Sequence, residues 1–261
     1  MKIIIHLNVK GILVIVITVL LLLSIIILFL NSNGLHKKNF VSENGIEGDY
    51  LIQQAADSEG ILLWLHGDGA YEFKHPYSKE YLGGKNGIKA VAEEKNLTLI
   101  VPHTPSADTW WENGEDNAEY LIELISTFPE HQKVWISGFS GGAEITTYWL
   151  IEKLKRTDIK SGGVILFGGG GSPAAEGITD SLRKEDVIDG SFPITWFIGE
   201  KDTGDSNDEN PFNALAASKQ GERFYRDQGW KTERIILKNY GHLLSENNIG
   251  MYGQLLDEII P

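Results

Sequence analysis

The feature that most constrains the fold of this chain is the pentapeptide G-F-S-G-G at residues 138–142, which matches the pattern G-x-S-x-G. It follows a β-prone stretch, Lys133 to Ser137, and precedes a helical stretch, Ala143 to Lys155. In this context the motif holds a serine on a sharp strand-to-helix turn with its hydroxyl exposed. The glycines permit the turn, and the N-terminus of the helix points to where an oxyanion forms. We therefore predict that Ser140 is a nucleophile; the alternative is an ordinary glycine-rich turn.

Short β-prone runs alternate with helical runs along the chain. The predicted strands are Tyr50–Gln54, Ile61–His66, Leu97–Val101, Lys133–Gly138, Gly163–Phe167, Ile194–Gly199 and Arg234–Lys238. The predicted helices are Gly84–Lys95, Asp116–Ser126, Ala143–Lys155, Phe212–Gln228 and Ser245–Ile259. The alternation predicts an α/β fold, with a mostly parallel sheet and helices on both of its faces.

The N-terminal part of the chain has a different composition. From Ile12 to Leu30 all residues but two are apolar, and such a run has about the 20 residues that a helix needs to cross a bilayer. It is longer than the apolar core of a cleaved signal peptide. The sequence predicts a signal anchor or transmembrane helix at 1–31, a polar linker at 32–45 and a catalytic domain at 46–261. We expect a single-pass membrane protein with an extracytoplasmic catalytic domain, or a secreted protein if the anchor is cleaved.

The composition narrows the chemistry. The chain has no cysteine, which removes disulfides, thiolate catalysis and cysteine-ligated metals. Its net charge of −13 argues against a nucleic-acid partner, because phosphate binding needs a basic surface. The acidic loop at 205–210 lacks the full pattern of a calcium-binding loop. We predict no metal and no cofactor, and the sequence leaves the oligomeric state open.

A serine hydroxyl becomes a good nucleophile when a histidine takes its proton and a carboxylate orients that histidine. Asp202 follows the apolar run Ile194–Ile198 and therefore falls at the carboxyl edge of a parallel sheet, where α/β sites form. It is the favoured carboxylate. The rival carboxylates nearby in the sequence are Glu200, Asp205 and Asp208.

The favoured base is His242. It follows the predicted strand Arg234–Lys238, and it is the only histidine after Asp202. The order of serine, acid and histidine is that of a hydrolase with a nucleophile on a G-x-S-x-G turn. The alternative role for His242 is to cap the last helix.

An oxyanion hole needs two N–H donors. Gly141, directly after the serine, supplies one of them. The other comes from the loop that follows Ile61–Leu65, and the sequence leaves Gly67, Asp68 and Gly69 open as donors. Asp68 can serve only if its carboxylate points away from the developing anion.

Taken together, the H-G-D-G sequence at 66–69, the G-F-S-G-G sequence at 138–142 and the pair Asp202 and His242 resemble the α/β-hydrolase superfamily. The 66–69 loop is similar to the H-G-G-G motif of esterases, with Asp68 in place of one glycine. The resemblance implies an eight-stranded, mostly parallel sheet and acyl transfer through an acyl-serine. A weaker similarity is to the polyhydroxybutyrate depolymerase and feruloyl-esterase-like branch. The resemblance does not imply a particular substrate.

Four further residues are candidates for substrate binding: Trp110, Trp111, His66 and Phe139. Two adjacent indoles on a loop beside the site could form one wall of a pocket for an aromatic or sugar-bearing substrate. The alternative is that one indole packs into the core while the other covers a helix. Phe139 is also placed to support the serine turn from behind.

These features predict a serine hydrolase that cleaves carboxylic esters of small molecules or polymers through an acyl-serine intermediate. A peptidase or a thioesterase could use the same three residues. The alternative from another class is a non-catalytic surface-binding protein built on a hydrolase scaffold.

Overall fold

The computed structural model describes residues 16–20, 34–204, 212–246 and 248–261. The chain divides into two compact units, Met1–Gly34 and Leu35–Pro261. In the first unit the described residues 16–20 are helical. The sheet and all the helices named below belong to the second unit.

The prediction that a transmembrane helix precedes the α/β domain is corrected by the structure. Across the described residues, no helix is both long and apolar enough to cross a membrane. Most of the predicted segment, residues 1–15 and 21–31, lies outside the described residues. Membrane association through this segment is likewise unsupported.

The second unit is built on a sheet of eight strands. In chain order the strands are β1 (His36–Val41), β2 (Glu47–Gln53), β3 (Gly60–Leu65), β4 (Leu97–Pro102), β5 (Lys133–Phe139), β6 (Ser161–Phe167), β7 (Ile194–Gly199) and β8 (Thr232–Leu237). Their spatial order is β1-β2-β4-β3-β5-β6-β7-β8. The pairs β1–β2 and β2–β4 are antiparallel and the other five are parallel. The mostly parallel eight-stranded sheet is therefore confirmed.

The helices are α1 (Tyr71–Lys74), α2 (Ile88–Glu94), α3 (Gly114–Ser126), α4 (Gly141–Ile145), α5 (Ile151–Lys153), α6 (Lys184–Val187), α7 (Ala214–Asp227) and α8 (Met251–Ile259). A π-helical turn, Thr146–Leu150, joins α4 to α5, and a 3-10 turn, Leu154–Arg156, follows α5. Another 3-10 turn, Leu244–Glu246, precedes α8. The predicted helix at 143–155 is thus one continuous helical segment with a π-helical turn in its middle.

The sheet is covered on both faces because its central strands are apolar on both. In β3, Ile61, Leu63 and Leu65 face one core cluster, whereas Leu62 and Trp64 face another. Successive residues of a strand point to opposite faces, so this alternation requires helices on each side. The first cluster includes residues of α3, α4, α5 and α7, and the second includes residues of α2 and α8.

Strand β1 lies inside the segment that the sequence predicts as a linker, 32–45. Lys37 forms an ion pair with Asp49 on β2, with a Nζ to Oδ2 distance of 2.6 Å. Phe40 packs against Tyr120 of α3, with ring centroids 5.5 Å apart. The segment is polar because it forms an edge strand whose residues are mostly exposed.

Candidate active site

Ser140 occupies the turn between β5 and α4 in a strained conformation, with φ of 50° and ψ of −115°. Gly138 and Gly142 make this turn possible, because neighbouring backbone atoms leave no room for a side chain at either position. A Cβ at Gly138 would lie 2.5 Å from the carbonyl carbon of Gly142, and one at Gly142 would lie 2.1 Å from the carbonyl oxygen of Leu65. The backbone N–H of Ser140 donates to the carbonyl of Phe167 at 2.9 Å. The turn therefore belongs to the packed sheet and holds Ser140 in one orientation.

The structure brings the three predicted catalytic side chains together. The Oγ of Ser140 lies 3.0 Å from Nε2 of His242, and Nδ1 of His242 lies 2.8 Å from Oδ2 of Asp202. Asp202 is 4% exposed and His242 is 36% exposed. A buried carboxylate accepts the Nδ1–H, which leaves Nε2 unprotonated and able to accept the serine proton.

The position of Asp202 follows from the loop that ends β7. Its backbone N–H donates to the carbonyl of Gly199 at 3.1 Å, and its carbonyl accepts from the N–H of Leu215 at 3.0 Å. The rival Glu200 is exposed and accepts the N–H of Asn239 at 3.1 Å. The other two rivals, at 205 and 208, lie outside the described residues. Of the described candidates, only Asp202 contacts His242.

The hydrogen bonds of the 66–70 loop distinguish its three candidate oxyanion donors. The N–H of Gly67 donates to both carboxylate oxygens of Glu72, at 3.1 and 3.3 Å. The N–H of Gly69 donates to the carbonyl of Asp108 at 2.9 Å. The N–H of Asp68 donates to no described group, and its nitrogen lies 3.5 Å from the position of a Cβ on Gly141. Gly141, as the first residue of α4, also has no intrahelical acceptor for its N–H. Asp68 and Gly141 are therefore the two donors that remain.

The side chain of Asp68 is exposed and lies next to the Cα of Gly141. Its Oδ1 lies 2.5 Å from the position that a Cβ on Gly141 would occupy. An alanine at 141 would therefore force this exposed carboxylate to move. Sequence reasoning could not place this side chain, because its orientation depends on the packing of two separate loops.

Glu144 adds a second carboxyl group to this region, one helical turn after Ser140. Burial and, to a smaller extent, the negative charges of Asp68 and Glu176 raise the pKa of Glu144 to about 7. Sequence analysis did not identify Glu144. Its position four residues after the serine, on the helix that follows the turn, was the available signal.

His66 is fully buried behind the loop. Its Nδ1 lies 2.7 Å from the carbonyl oxygen of Gly67, and its Nε2 accepts the N–H of Thr104 at 3.1 Å. Nδ1 therefore carries the proton and donates to Gly67. Burial lowers the pKa of His66 to about 3, so the ring is neutral near neutral pH. In the structure His66 supports the loop, and substrate binding by His66 stays a prediction.

The two adjacent tryptophans have different environments. Trp110 is 1% exposed, and its indole N–H donates to the carbonyl of His66 at 2.9 Å. Trp111 is 47% exposed and contacts Tyr148 and Trp149 edge to face, with centroids 5.4 and 5.3 Å away. One indole thus packs into the core and the other covers a helix, which is the second alternative that the sequence allows. Substrate binding by Trp111 stays a prediction.

A cleft of about 550 Å³ adjoins the oxyanion donors. Its lining consists of Gly67, Asp68, Tyr71, Glu72, Glu80, Tyr81, Phe139, Leu243, Ser245, Glu246 and Ile249. Phe139 connects the cleft to the catalytic residues, since its ring lies 4.9 Å from that of His242. Phe139 thus lies behind the serine turn and also at the wall of the cleft. This position agrees with the prediction that it supports the turn. Every charged residue of the lining is acidic.

The sequence did not indicate several residues that line this cleft: Glu72, Tyr81, Leu243, Ser245, Glu246 and Ile249. They come from segments far apart in the sequence, so only the folded chain shows that they meet. Among the described residues, no group of three or more His, Asp or Glu side chains could hold a metal ion.

No protein-family model and no curated protein matches this chain. Solved structures do resemble it. The dienelactone hydrolase of Anabaena variabilis has a TM-score of 0.59 at 16% identity, over 86% of this chain and 95% of that protein. A thermostable esterase has a TM-score of 0.55 at 16% identity, over 86% of this chain and 59% of that one. The acylaminoacyl peptidase of Pyrococcus horikoshii has a TM-score of 0.54 at 13% identity, and the match spans 41% of its length.

These structures share the α/β-hydrolase fold, and the present chain has that fold. At such identities the likeness concerns the fold alone, because one fold carries many activities. The narrower similarity to the polyhydroxybutyrate depolymerase and feruloyl-esterase-like branch stays a prediction.

Proposed function

We propose that this protein is a serine hydrolase that cleaves carboxylic esters through an acyl-serine intermediate. The observation that carries the proposal is the continuous hydrogen-bonded series from Ser140 through His242 to the buried carboxylate of Asp202. A nucleophile, a base within 3.0 Å of it and an orienting group on that base are the parts that acyl transfer to serine requires.

In the first half of the reaction, Nε2 of His242 takes the proton of Ser140 as its Oγ attacks the ester carbonyl. Asp202 stabilises the imidazolium that forms and keeps the ring in its productive orientation. The N–H groups of Asp68 and Gly141 donate to the carbonyl oxygen as it becomes negative. His242 then protonates the departing alkoxide, and the alcohol leaves the acyl-serine.

In the second half, water attacks the acyl carbonyl and His242 takes a proton from that water. The same two N–H groups stabilise the second oxyanion. Collapse of this intermediate breaks the bond to Oγ, and His242 returns the proton to Ser140. The products are a carboxylic acid, an alcohol and the free enzyme, so no cofactor is needed to balance the reaction.

The cleft suggests which esters fit. Its volume of about 550 Å³ accommodates a small-molecule group, and its wall combines Tyr71, Tyr81 and Phe139 with acidic side chains. A negatively charged substrate would be repelled by these acids, whereas a neutral or cationic one would not. We therefore expect higher kcat/KM for neutral or cationic esters than for anionic esters of the same length.

The test compares wild type, Ser140→Ala and Ser181→Ala, an exposed serine outside the cleft. Each protein is treated with a fluorophosphonate probe, and the labelled peptide is identified. Turnover of p-nitrophenyl esters, a thioester and a p-nitroanilide is then measured. Labelling of wild type and Ser181→Ala at Ser140, with loss of ester turnover only in Ser140→Ala, supports the proposal.

Two results would contradict it. Wild-type-like ester hydrolysis by Ser140→Ala means that another group is the nucleophile. Absence of labelling and turnover in folded wild type favours a non-catalytic binding protein. Thioester or anilide turnover far above that of the ester would keep the mechanism but reassign the substrate class to a thioesterase or a peptidase.

A further inference from the structure

Glu72 is a buried carboxyl group in the first short helix after the oxyanion loop. It lies on α1 and is 2% exposed. Both of its oxygens accept the N–H of Gly67, at 3.1 and 3.3 Å, and no ion pair joins it to a described Lys, Arg or His. A carboxylate is rarely buried in this way, because its desolvation is unfavourable. The N–H of Gly67 that it accepts belongs to the loop that carries Asp68.

Gly67 needs external partners to hold its conformation. It has no side chain of its own to pack, and a Cβ there would meet Cδ1 of Phe139 at 2.8 Å. The two peptide groups that flank its Cα can therefore rotate freely unless each is hydrogen-bonded. The orientation of both groups then depends on what binds the N–H and the C=O of Gly67.

The peptide group on the C-terminal side of Gly67 contains the N–H of Asp68. Its carbonyl oxygen accepts from Nδ1 of His66 at 2.7 Å and from the N–H of Ala70 at 3.0 Å. In a planar trans peptide the C=O and the N–H point in opposite directions. Holding the carbonyl toward His66 therefore turns the N–H of Asp68 to the other side of the loop, where Gly141 lies.

The peptide group on the N-terminal side of Gly67 has Glu72 as its partner. With both peptide planes held, the φ and ψ angles of Gly67 are fixed, and so is the direction of the Asp68 N–H. We propose that Glu72 is a positioning residue, which holds the oxyanion loop so that the Asp68 N–H stays aligned with Ser140 during acyl transfer. This inference rests on the proposed function, since it concerns the rate of that reaction.

The hydrogen bond from Gly67 also depends on the charge of Glu72. Burial raises the pKa of Glu72, and hydrogen bonds from the backbone and the nearby indole N–H of Trp64 offset part of this rise, so that the pKa is about 7. The titratable groups around this carboxyl are Tyr81 and Tyr252 from the packed elements, and Asp68, Glu80 and Glu246 from the cleft. A charged acceptor binds an N–H more strongly than a neutral one. As the pH falls through about 7, protonation of Glu72 weakens its hold on Gly67, and kcat should fall with it.

The experiment uses the full chain and three variants. Glu72→Leu removes the acceptor, whereas Glu72→Gln keeps an acceptor oxygen but cannot titrate. Glu93→Gln removes a charge from an exposed position of α2, outside the cleft, and is the control for a general change of charge. The measured quantities are kcat and KM for p-nitrophenyl acetate from about pH 5 to pH 9, with circular dichroism to check folding.

We expect Glu72→Leu to lose about 10- to 100-fold in kcat with KM changed little, because loss of a full oxyanion donor costs about 100- to 1000-fold. Glu72→Gln should stay within about tenfold of wild type near pH 8, and its kcat should fall less steeply than that of wild type below pH 7. Glu93→Gln should keep the acid limb of wild type.

A folded Glu72→Leu variant whose kcat lies within about twofold of wild type at every pH would overturn the inference. If Glu72→Leu does not fold, an acid limb in Glu72→Gln identical to that of wild type overturns it equally. If wild type neither hydrolyses esters nor is labelled at Ser140, the proposed function itself is contradicted. If wild type is active and the Glu72 variants have unchanged kinetics, only the role proposed for Glu72 is contradicted.

Discussion

Replacing Glu144 by glutamine is expected to stabilise the protein above neutral pH and to have little effect at acid pH. The carboxyl group is largely buried, lies close to Asp68 and Glu176, and accepts no hydrogen bond from any group that the structure describes. Its ionised form is therefore desolvated and repelled by two like charges. Glutamine has nearly the same shape and removes the charge.

The magnitude follows from the pKa. The difference between the ordinary value of 4.5 and a pKa of about 7 corresponds to about 3 kcal/mol, since each pH unit is worth about 1.4 kcal/mol. Between these two pH values the folded state binds more protons than the unfolded state. The free energy of unfolding therefore decreases as the pH rises from 4.5 to 7, and the loss is complete above pH 7.

The glutamine of the variant carries no charge, so the variant's free energy of unfolding does not decrease in this way as the pH rises. We expect Glu144→Gln to be more stable than wild type by about 2 to 3 kcal/mol at pH 8 and by less than about 1 kcal/mol at pH 5. Urea denaturation followed by tryptophan fluorescence measures both differences. The midpoint should move while the dependence of the free energy on urea concentration stays the same. Glu93→Gln, at an exposed position of α2, is the control.

An equal gain at pH 5 and pH 8 would refute the reasoning, because an effect that does not follow ionisation cannot arise from desolvation of a charge. Absence of any gain at pH 8 would also refute it, since the carboxyl group would then be stabilised by contacts that the structure does not show.

Three further changes test the site and its support. Asp202→Asn should lower kcat for p-nitrophenyl acetate by about 10⁴-fold, because an amide favours the wrong tautomer of His242; a loss below tenfold would contradict its orienting role. Gly142→Ala should destabilise the fold by about 3 kcal/mol or more in urea denaturation, since its Cβ would meet the carbonyl of Leu65, and an unchanged midpoint would show that the turn can relax. Trp110→Phe should cost about 1 to 3 kcal/mol because the carbonyl of His66 loses its indole donor, whereas a change below about 0.5 kcal/mol would mean that water replaces it.

Much of the sheet was predictable because its central strands are buried. Runs such as Ile61–Leu65 and Gly163–Phe167 are apolar throughout, and a short continuous apolar run is typical of a strand that is covered on both faces. β1 was missed for the opposite reason: its residues are polar and exposed, and such an edge strand looks like a linker. The apolar N-terminal run shows a further limit, because length and composition alone predicted a transmembrane helix.

The positions of Ser140, Asp202 and His242 were predictable because each follows a strand, and strand ends meet at one edge of a parallel sheet. The second oxyanion donor was not. Gly67, Asp68 and Gly69 are equivalent in the sequence, and they differ only in whether a remote group accepts their N–H. Glu72 and Asp108 supply those acceptors, and no local pattern indicates either contact.

The place of β1 in the sheet determines where this chain can be shortened. The hydrogen-bonding edge of β2, including Leu51 and Ile52, is covered by residues 36 and 37 of β1. A truncation at residue 46, where the sequence alone places the domain boundary, removes this cover. It leaves β2, with its apolar residues Tyr50, Leu51 and Ile52, as an edge strand with unpaired N–H and C=O groups. Such an edge promotes pairing between copies, so the shortened protein should aggregate even though its catalytic residues are all present. A truncation at Leu35 keeps the lysine-bearing strand that protects the sheet.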